Sequence, residues 1–317
     1  MCGIAGFLDK TNNNQAEVGQ TILKMLEALG LRGPDSAGIA VYNHELDGDM
    51  VLRVKLGEVG GSHSVPSLHS LTVEEQFSDK GQAVAARVAD LGTIGEHSAT
   101  AEYLRLVVDY DGDPATLERM IEAGEPDLEV VSMGHNLEIV KQVGSPENLE
   151  ATHSVSQFVG SHGIGHTRMS TESRIDLSHS QPFWAHGYPD LATVHNGHIC
   201  NYHKLRRIYE QQGVKFYTEN DSEVIGIYLA EQLSEGKSLE EALTDSIDFF
   251  DGSFSYFAAT PEAMGYARDP FALKPLLFTE TDSFVAIANE EKAIRAALGG
   301  NLDVREAKAG EVKVWQR

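Results

Sequence analysis

Apolar positions along the chain change period several times, and the changes divide it into elements. Residues 3–8 form a short apolar run broken by glycines, the pattern of a buried strand. Val18, Ile22, Met25, Leu26 and Leu29 recur at helical spacing, and Gly30 ends that helix. Residues 36–42 and 51–56 are predicted as strands joined by a hairpin turn at Asp47-Gly48. Between about residues 67 and 152 helical and extended patterns alternate. Residues 75–90 and 116–123 are predicted helical, and 102–110 and 136–143 extended. This stretch is predicted to be an α/β insertion within one domain covering residues 1–317. From Gly160 onward strands dominate again. Residues 163–168 and 191–195 are predicted as buried strands that run out into polar loops. Residues 202–212 and 222–233 are predicted helices, with Asp221 placed to cap the second. Short strands follow at 254–260, 264–268, 276–278 and 284–288, then a helix at 293–298. The pattern suggests a mixed α/β or α+β fold, with layered sheets and helices.

Composition narrows the function classes. With 41% apolar and 23% charged residues, extended disorder is excluded. Acidic residues number 48 and basic ones 25, a net charge of −23, which argues against nucleic acid or an anionic membrane as partner. Two cysteines cannot form a disulfide scaffold, and neither a signal peptide nor a run of 18 apolar residues is visible. A cytoplasmic protein is expected, in which a cysteine is more often chemical than structural.

The chemistry-bearing residues fall in short motifs. Cys2 could be a small buried residue. Its position permits more: removal of Met1 would leave Cys2 with a free α-amine, whose usual pKa is about 7.7–8.0. One residue would then hold both a nucleophile and a base. Leu31-Arg32-Gly33-Pro34-Asp35-Ser36-Ala37-Gly38 could by itself be a turn. Gly165-His166-Thr167-Arg168-Met169-Ser170-Thr171, Val194-His195-Asn196-Gly197-His198 and Asn220-Asp221-Ser222-Glu223 follow. Asp251-Gly252-Ser253-Phe254, Ala267-Arg268-Asp269-Pro270 and Lys274-Pro275-Leu276 complete the set. Zinc-like spacings occur at His162/His166 and His195/His198 with Cys200 nearby. His166 and His195 are already explained by the motifs, so no metal is expected. The glycines at 160–165 lack the Lys-Ser/Thr of a phosphate loop.

In this order the motifs resemble those of the class II glutamine amidotransferases, glutaminases with an N-terminal cysteine nucleophile. The likeness covers residues 1–60 and 160–317. It implies a four-layer α-β-β-α sandwich, the N-terminal nucleophile hydrolase fold. It also implies roles. Cys2 would attack the side-chain amide of L-glutamine, and Asn196 and Gly197 would hold the oxyanion. Arg168 and Asp221 would take the α-carboxylate and α-ammonium, with Ser170, Thr171 and His198 as further substrate-binding residues. Arg32, Asp35 and His195 would support these from behind. Met169 stands where many members have an aromatic residue, and Glu172 where some have histidine.

Family members usually fuse the glutaminase to a domain that consumes ammonia. Here the pattern runs to residue 312, with 309–312 read as the closing strand, so the acceptor is expected on another polypeptide. The wide spacing from Gly33 to Gly165 resembles the glutaminase of glutamate-synthase-like complexes such as N-methylglutamate synthase. Flavin (FMN) and an iron–sulfur cluster would then sit on partner synthase subunits, with no cofactor in this chain. Two other readings stay open: an N-terminal-nucleophile hydrolase of another amide, opposed by Arg168 with Asp221, and a catalytically silent regulatory subunit, opposed by the intact Cys2, Asn196 and Gly197.

Overall fold

The computed structural model describes residues 2–11, 14–43, 49–57, 73–123, 125, 127–170 and 174–317, with backbone only at 73–76. The first half contains β1 (Gly3–Asp9), α1 (Val18–Leu29), β2 (Ser36–Tyr42), β3 (Met50–Lys55), α2 (Val73–Ala89), β4 (Thr93–Thr100), β5 (Tyr103–Asp109) and α3 (Pro114–Ile121). Then come β6 (Glu129–Gly134), β7 (Leu137–Val143), α4 (Pro146–His153), β8 (His162–Arg168), β9 (Phe183–Trp184) and β10 (Ala192–Ile199). The remainder holds α5 (Tyr202–Gln211), α6 (Glu223–Ser234), α7 (Leu239–Phe249), β11 (Gly252–Thr260), β12 (Ala263–Arg268), β13 (Leu277–Glu280), β14 (Phe284–Ala288), α8 (Glu291–Leu298), β15 (Arg305–Glu306) and β16 (Val312–Gln316). The chain is α+β, and no helix among the described residues is long and apolar enough to cross a membrane.

The strands form three antiparallel sheets. Their orders are β15-β13-β14-β1-β8-β2-β7, β16-β12-β11-β10-β9 and β4-β5-β3-β6. Alternation along each strand decides what each face meets. On β1, Ile4 and Leu8 join Ile164 of β8 in a cluster with Val194, Phe257 and Met264 of the five-stranded sheet. Ala5 and Phe7 point the other way, into a cluster with Ile22 and Leu26 of α1 and Ile294 of α8. On the five-stranded sheet, Tyr256 and Ala258 pack instead with Val224 and Leu229 of α6 and Leu243 of α7. The glycines of β8 have a packing reason. A side chain at Gly165 would start 2.5 Å from Ile22 Cγ2, and one at Gly163 would start 2.9 Å from Ile22 Cδ1. The alternating glycines clear a track on which α1 lies against the sheet.

Most predicted elements are present, and the departures have physical reasons. Strands β2 and β3 do not pair with each other. The turn expected at Asp47-Gly48 lies outside the described residues. Both strands are central: β2 pairs with β7 and β8, β3 with β5 and β6, so neither has a free edge for the other. The small sheet draws on residues 50–134. It therefore includes β3, while β7 and α4, within the expected 67–152 segment, pack on the large sheet and α1. Strand β10 continues through His195-Asn196-Gly197-His198 where a loop was expected. The closing strand is Val312–Gln316, later than expected, because Gly310 turns with φ +66° before it. Asp221 does not cap α6: the N-cap is Ser222, and Asp221 accepts from Ile199 N instead.

Gly165→Val would drive two methyl groups into Ile22 and Leu26. We expect a loss of about 1–3 kcal/mol, read as a lower urea midpoint at unchanged m-value.

Candidate active site

Antiparallel register brings the first motifs together. Gly3 lies opposite Thr167 and Ser36 opposite Arg168, so Cys2, Asp35 and Arg168 meet at one edge of the sheet. The Arg-Gly-Pro-Asp motif holds that edge from behind. Arg32 Nε donates to the Cys2 carbonyl at 3.1 Å and Nη1 to Glu290 Oε1 at 2.6 Å. Asp35 Oδ2 accepts from Ser170 N at 2.7 Å, and Asp35 N donates to the Arg168 carbonyl. A side chain at Gly33 would start 2.4 Å from the Thr167 carbonyl, so glycine permits the close approach.

Cys2 Sγ is half-buried, 3.9 Å from the Met169 carbonyl. Burial pushes its pKa up. At neutral pH it is a thiol, and attack needs a proton acceptor. Arg168 is buried, and Nη1 donates to the Arg174 carbonyl at 2.7 Å. Burial pulls its pKa down, against the nearby Cys2, Asp176 and Asp35.

The second sheet supplies the opposite wall. Asn196 is buried on β10, and its Nδ2 has no hydrogen-bond partner among the described residues. A buried amide left unpaired is costly unless something else completes it. Gly197 has φ +152°, and a side chain there would start 2.3 Å from the Ser253 carbonyl. Only glycine fits. Asp221 reaches the same space: Oδ2 accepts from Ile199 N at 2.7 Å and lies 3.6 Å from His198 Nδ1, on an exposed imidazole. Cys2, Arg168, Ser170, Asn196, Gly197 and Asp221 line one cleft of about 670 Å³, with His195, His198, Met169 and Lys274 also on it. Arg32 and Asp35 do not line it, and Thr171 and Glu172 lie outside the described residues.

Several contributors were not singled out from sequence. Gln181 Oε1 accepts from His195 N at 2.7 Å, while its Nε2 donates to Ser222 Oγ at 3.0 Å. Ser222 Oγ is 2.8 Å from His195 Nδ1. Gln181 sits against Gly38, where a side chain would start 2.3 Å from its carbonyl. Thus the glycine that closes the Arg-Gly-Pro-Asp-Ser-Ala-Gly motif admits the loop that props β10. Asn289 joins β1 to the Lys274 loop, accepting from Ile4 N at 2.5 Å and donating to the Pro275 carbonyl at 3.1 Å. A lone Gln or Asn in a polar loop gives no signal of such a role; Ser222 stood inside a quoted motif. In the first of the histidine pairs with zinc-like spacing, one ring nitrogen of each meets a backbone carbonyl. His162 Nε2 meets the Thr260 carbonyl, and His166 Nε2 the His195 carbonyl.

A family model described as a glutamine amidotransferase domain matches residues 166–296. The glutamine amidotransferase-like protein GlxB of Rhizobium meliloti is 35% identical over 294 residues, covering 93% of this chain and 91% of its own. The chain belongs to the glutamine amidotransferase family. A second relative, from Methanothermobacter thermautotrophicus, is 35% identical over 324 residues and spans 100% of both chains. The fold of this amidotransferase is that of the glutamine phosphoribosylpyrophosphate amidotransferase of B. subtilis. The TM-score is 0.61 at 19% identity, over 99% of this chain and 47% of that one. Glutamine is the expected amide donor of such an amidotransferase.

Burial drives the pKa of His166 down to about 3; the hydrogen bond to the His195 carbonyl opposes the shift, and the charges of Arg168 and the His195 ring add to it. The unfolded value is about 6.5. The unfolded chain therefore binds the extra proton first. The stability His166 contributes is complete above about pH 6.5 and is lost as pH falls toward 3, at up to about 1.4 kcal/mol per unit. Urea midpoints measured from pH 7 to 4 should fall, and His166→Asn should shed one proton's share of that slope.

Proposed function

We propose that this chain hydrolyses L-glutamine to glutamate and ammonia through a thioester on Cys2, with the ammonia passed to a partner synthase. The observation that carries the reading is the buried Asn196 Nδ2, without a partner among the described residues, on the same cleft as Cys2, Arg168 and Asp221. Removal of Met1 frees the Cys2 α-amine. The amine takes the thiol proton, directly or through water, as Sγ attacks the amide carbon. As the tetrahedral adduct collapses, the proton goes to the leaving nitrogen and ammonia departs. Water then attacks the thioester, with the amine again as base, and returns the thiol. Asn196 Nδ2 and Gly197 N–H receive the oxyanion in both steps. An amide with no ground-state partner suits that role, since its bond forms only as charge develops.

The rest of the cleft recognises an α-amino acid. Arg168 presents a planar guanidinium to the α-carboxylate, and Asp221 a carboxylate to the α-ammonium. Ser170, Thr171 and His198 complete substrate binding, and Arg32, Asp35 and His195 hold the others in place. The paired outer helices and facing sheets fit the four-layer α-β-β-α sandwich of N-terminal nucleophile hydrolases. We read the acceptor as a flavin-dependent synthase of the glutamate synthase or N-methylglutamate synthase kind, its FMN and iron–sulfur cluster on partner subunits. The long spacing between Gly33 and Gly165 supports this finer reading. Free ammonia in water at pH 7 is mostly non-nucleophilic ammonium, so direct transfer in a hetero-oligomer has a chemical purpose.

Three variants test the reading in a steady-state glutaminase assay of the processed chain. Cys2→Ala should abolish hydrolysis. Asn196→Ala should lower kcat by about 10²–10³ with little change in KM. Arg168→Ala should mainly raise KM. Glutamine turnover retained by Cys2→Ala would overturn the mechanism. Co-purification with a flavin-containing subunit, and a faster glutaminase once assembled, are expected of the partner reading; full turnover by an isolated monomer would remove it.

A further inference from the structure

Among the described residues the four-stranded sheet and α3 contribute none to the cleft, yet they grip two loops that do. The first loop runs from 174 to 181 and brings Arg174 and Gln181 to the cleft. Lys55 of β3 and Glu129 of β6 form a buried ion pair at 3.0 Å, and both bond Ser178 in the middle of that loop. The second loop runs from 215 to 223 and brings Glu219, Asn220, Asp221 and Ser222 to the cleft. There the Tyr217 hydroxyl lies 2.6 Å from Glu118 Oε1 of α3 and 2.8 Å from Glu122 Oε2. Lys215 Nζ meets Glu122 Oε2 at 2.7 Å, and His186 Nδ1 meets Glu118 Oε1 at 2.6 Å. The Tyr217 ring stacks on His186 at 3.8 Å.

These contacts transmit to the cleft over short distances. Glu223 ties the ends of the second loop together, its carboxylate accepting from Tyr217 N at 2.7 Å and Thr218 N at 3.0 Å. His179 joins the two loops, 2.7 Å from Asp176 and 3.1 Å from Glu219. Glu118 is buried and remains ionised: burial works against it, but His186, Tyr217 and Lys215 outweigh that effect. A buried polar network of this kind has few alternative arrangements, so it fixes whatever is attached to it. Only three residues separate Tyr217 from Asp221.

We propose that Glu118 and Tyr217 are positioning residues for Asp221, and that the small-sheet unit sets the affinity of the cleft for its α-amino acid through them. This deepens the glutaminase reading and rests on it. A network that merely docked the unit would change stability without separating KM from kcat. A network that aims Asp221 acts on substrate binding, because displacing a charged contact by a fraction of an ångström weakens it without touching the reacting atoms.

The test uses the full chain with Tyr217→Phe, Glu118→Ala and Glu118→Gln, read by glutamine kinetics and by amide hydrogen exchange of residues 215–223 without glutamine. Tyr217→Phe keeps the ring stack and removes one oxygen. It should raise KM about five- to tenfold with kcat within about twofold, and speed exchange in the loop. Glu118→Ala should do the same, while Glu118→Gln, which keeps an acceptor for the tyrosine, should recover most of the affinity. If Glu118→Ala fails to fold, Tyr217→Phe alone decides. An unchanged KM in Tyr217→Phe, or a fall confined to kcat, overturns the proposal. A wild-type chain that hydrolyses no glutamine would remove the glutaminase reading instead, and unchanged loop exchange in the variants would then overturn the clamp on its own.

Discussion

The register between β1 and β8 is the constraint on which the site depends. Opposing Gly3 to Thr167 places Cys2 beside Arg168, and a slip of one residue would turn every side chain of β1 to the wrong face. The register is held by packing on both sides. Ile4 and Leu8 are buried toward the second sheet, Ala5 and Phe7 toward α1 and α8. The same burial that stabilises the sheet therefore fixes the spacing between the Cys2 thiol and the Arg168 guanidinium. Strand β2 extends the constraint, since pairing Ser36 with Arg168 brings Asp35 within reach of Ser170.

The two walls of the cleft are independent pieces of folding. One is the edge of the seven-stranded sheet, the other a stretch of β10 in the five-stranded sheet. Both are regular structure, and the glycines in each serve close approach. Gly33 and Gly38 let loops lie on the strands, and Gly197 lets β10 pass against β11 in a backbone conformation that other residues avoid. Donors fixed on a strand change orientation little when a ligand arrives.

Strands and helices with clean periodicity were legible in the sequence: β1, α1 and β8 sit where the apolar pattern puts them. The motifs named in order also converge, with Cys2, Arg168, Asn196, Gly197 and Asp221 on one cleft. What could not be read is pairing between distant segments. Strands β2 and β3 are adjacent in sequence and belong to different sheets, which local turn chemistry cannot reveal. Strand β4 is largely exposed along its length and offers no alternation to detect. Helix α7 has buried Leu239, Ala242, Leu243 and Ser246 at helical spacing behind a Ser238–Glu241 capping box, a signal that was present and passed over. Supporting contacts such as Gln181 on His195 follow from tertiary placement alone.

The strand that follows Cys2 has its partners far downstream, in β8 and β14, the latter ending at Ala288. Contacts so distant in sequence make folding slow to close. At about 5–20 residues per second, synthesis out to that point takes roughly 15–60 s. Until residue 168 has been made the first strand lacks its β8 partner, and its other side stays unpaired until β14 has followed. The ion pair of Arg32 with Glu290 is completed later still, so the arginine that holds the Cys2 carbonyl is locked into place among the last events of chain assembly.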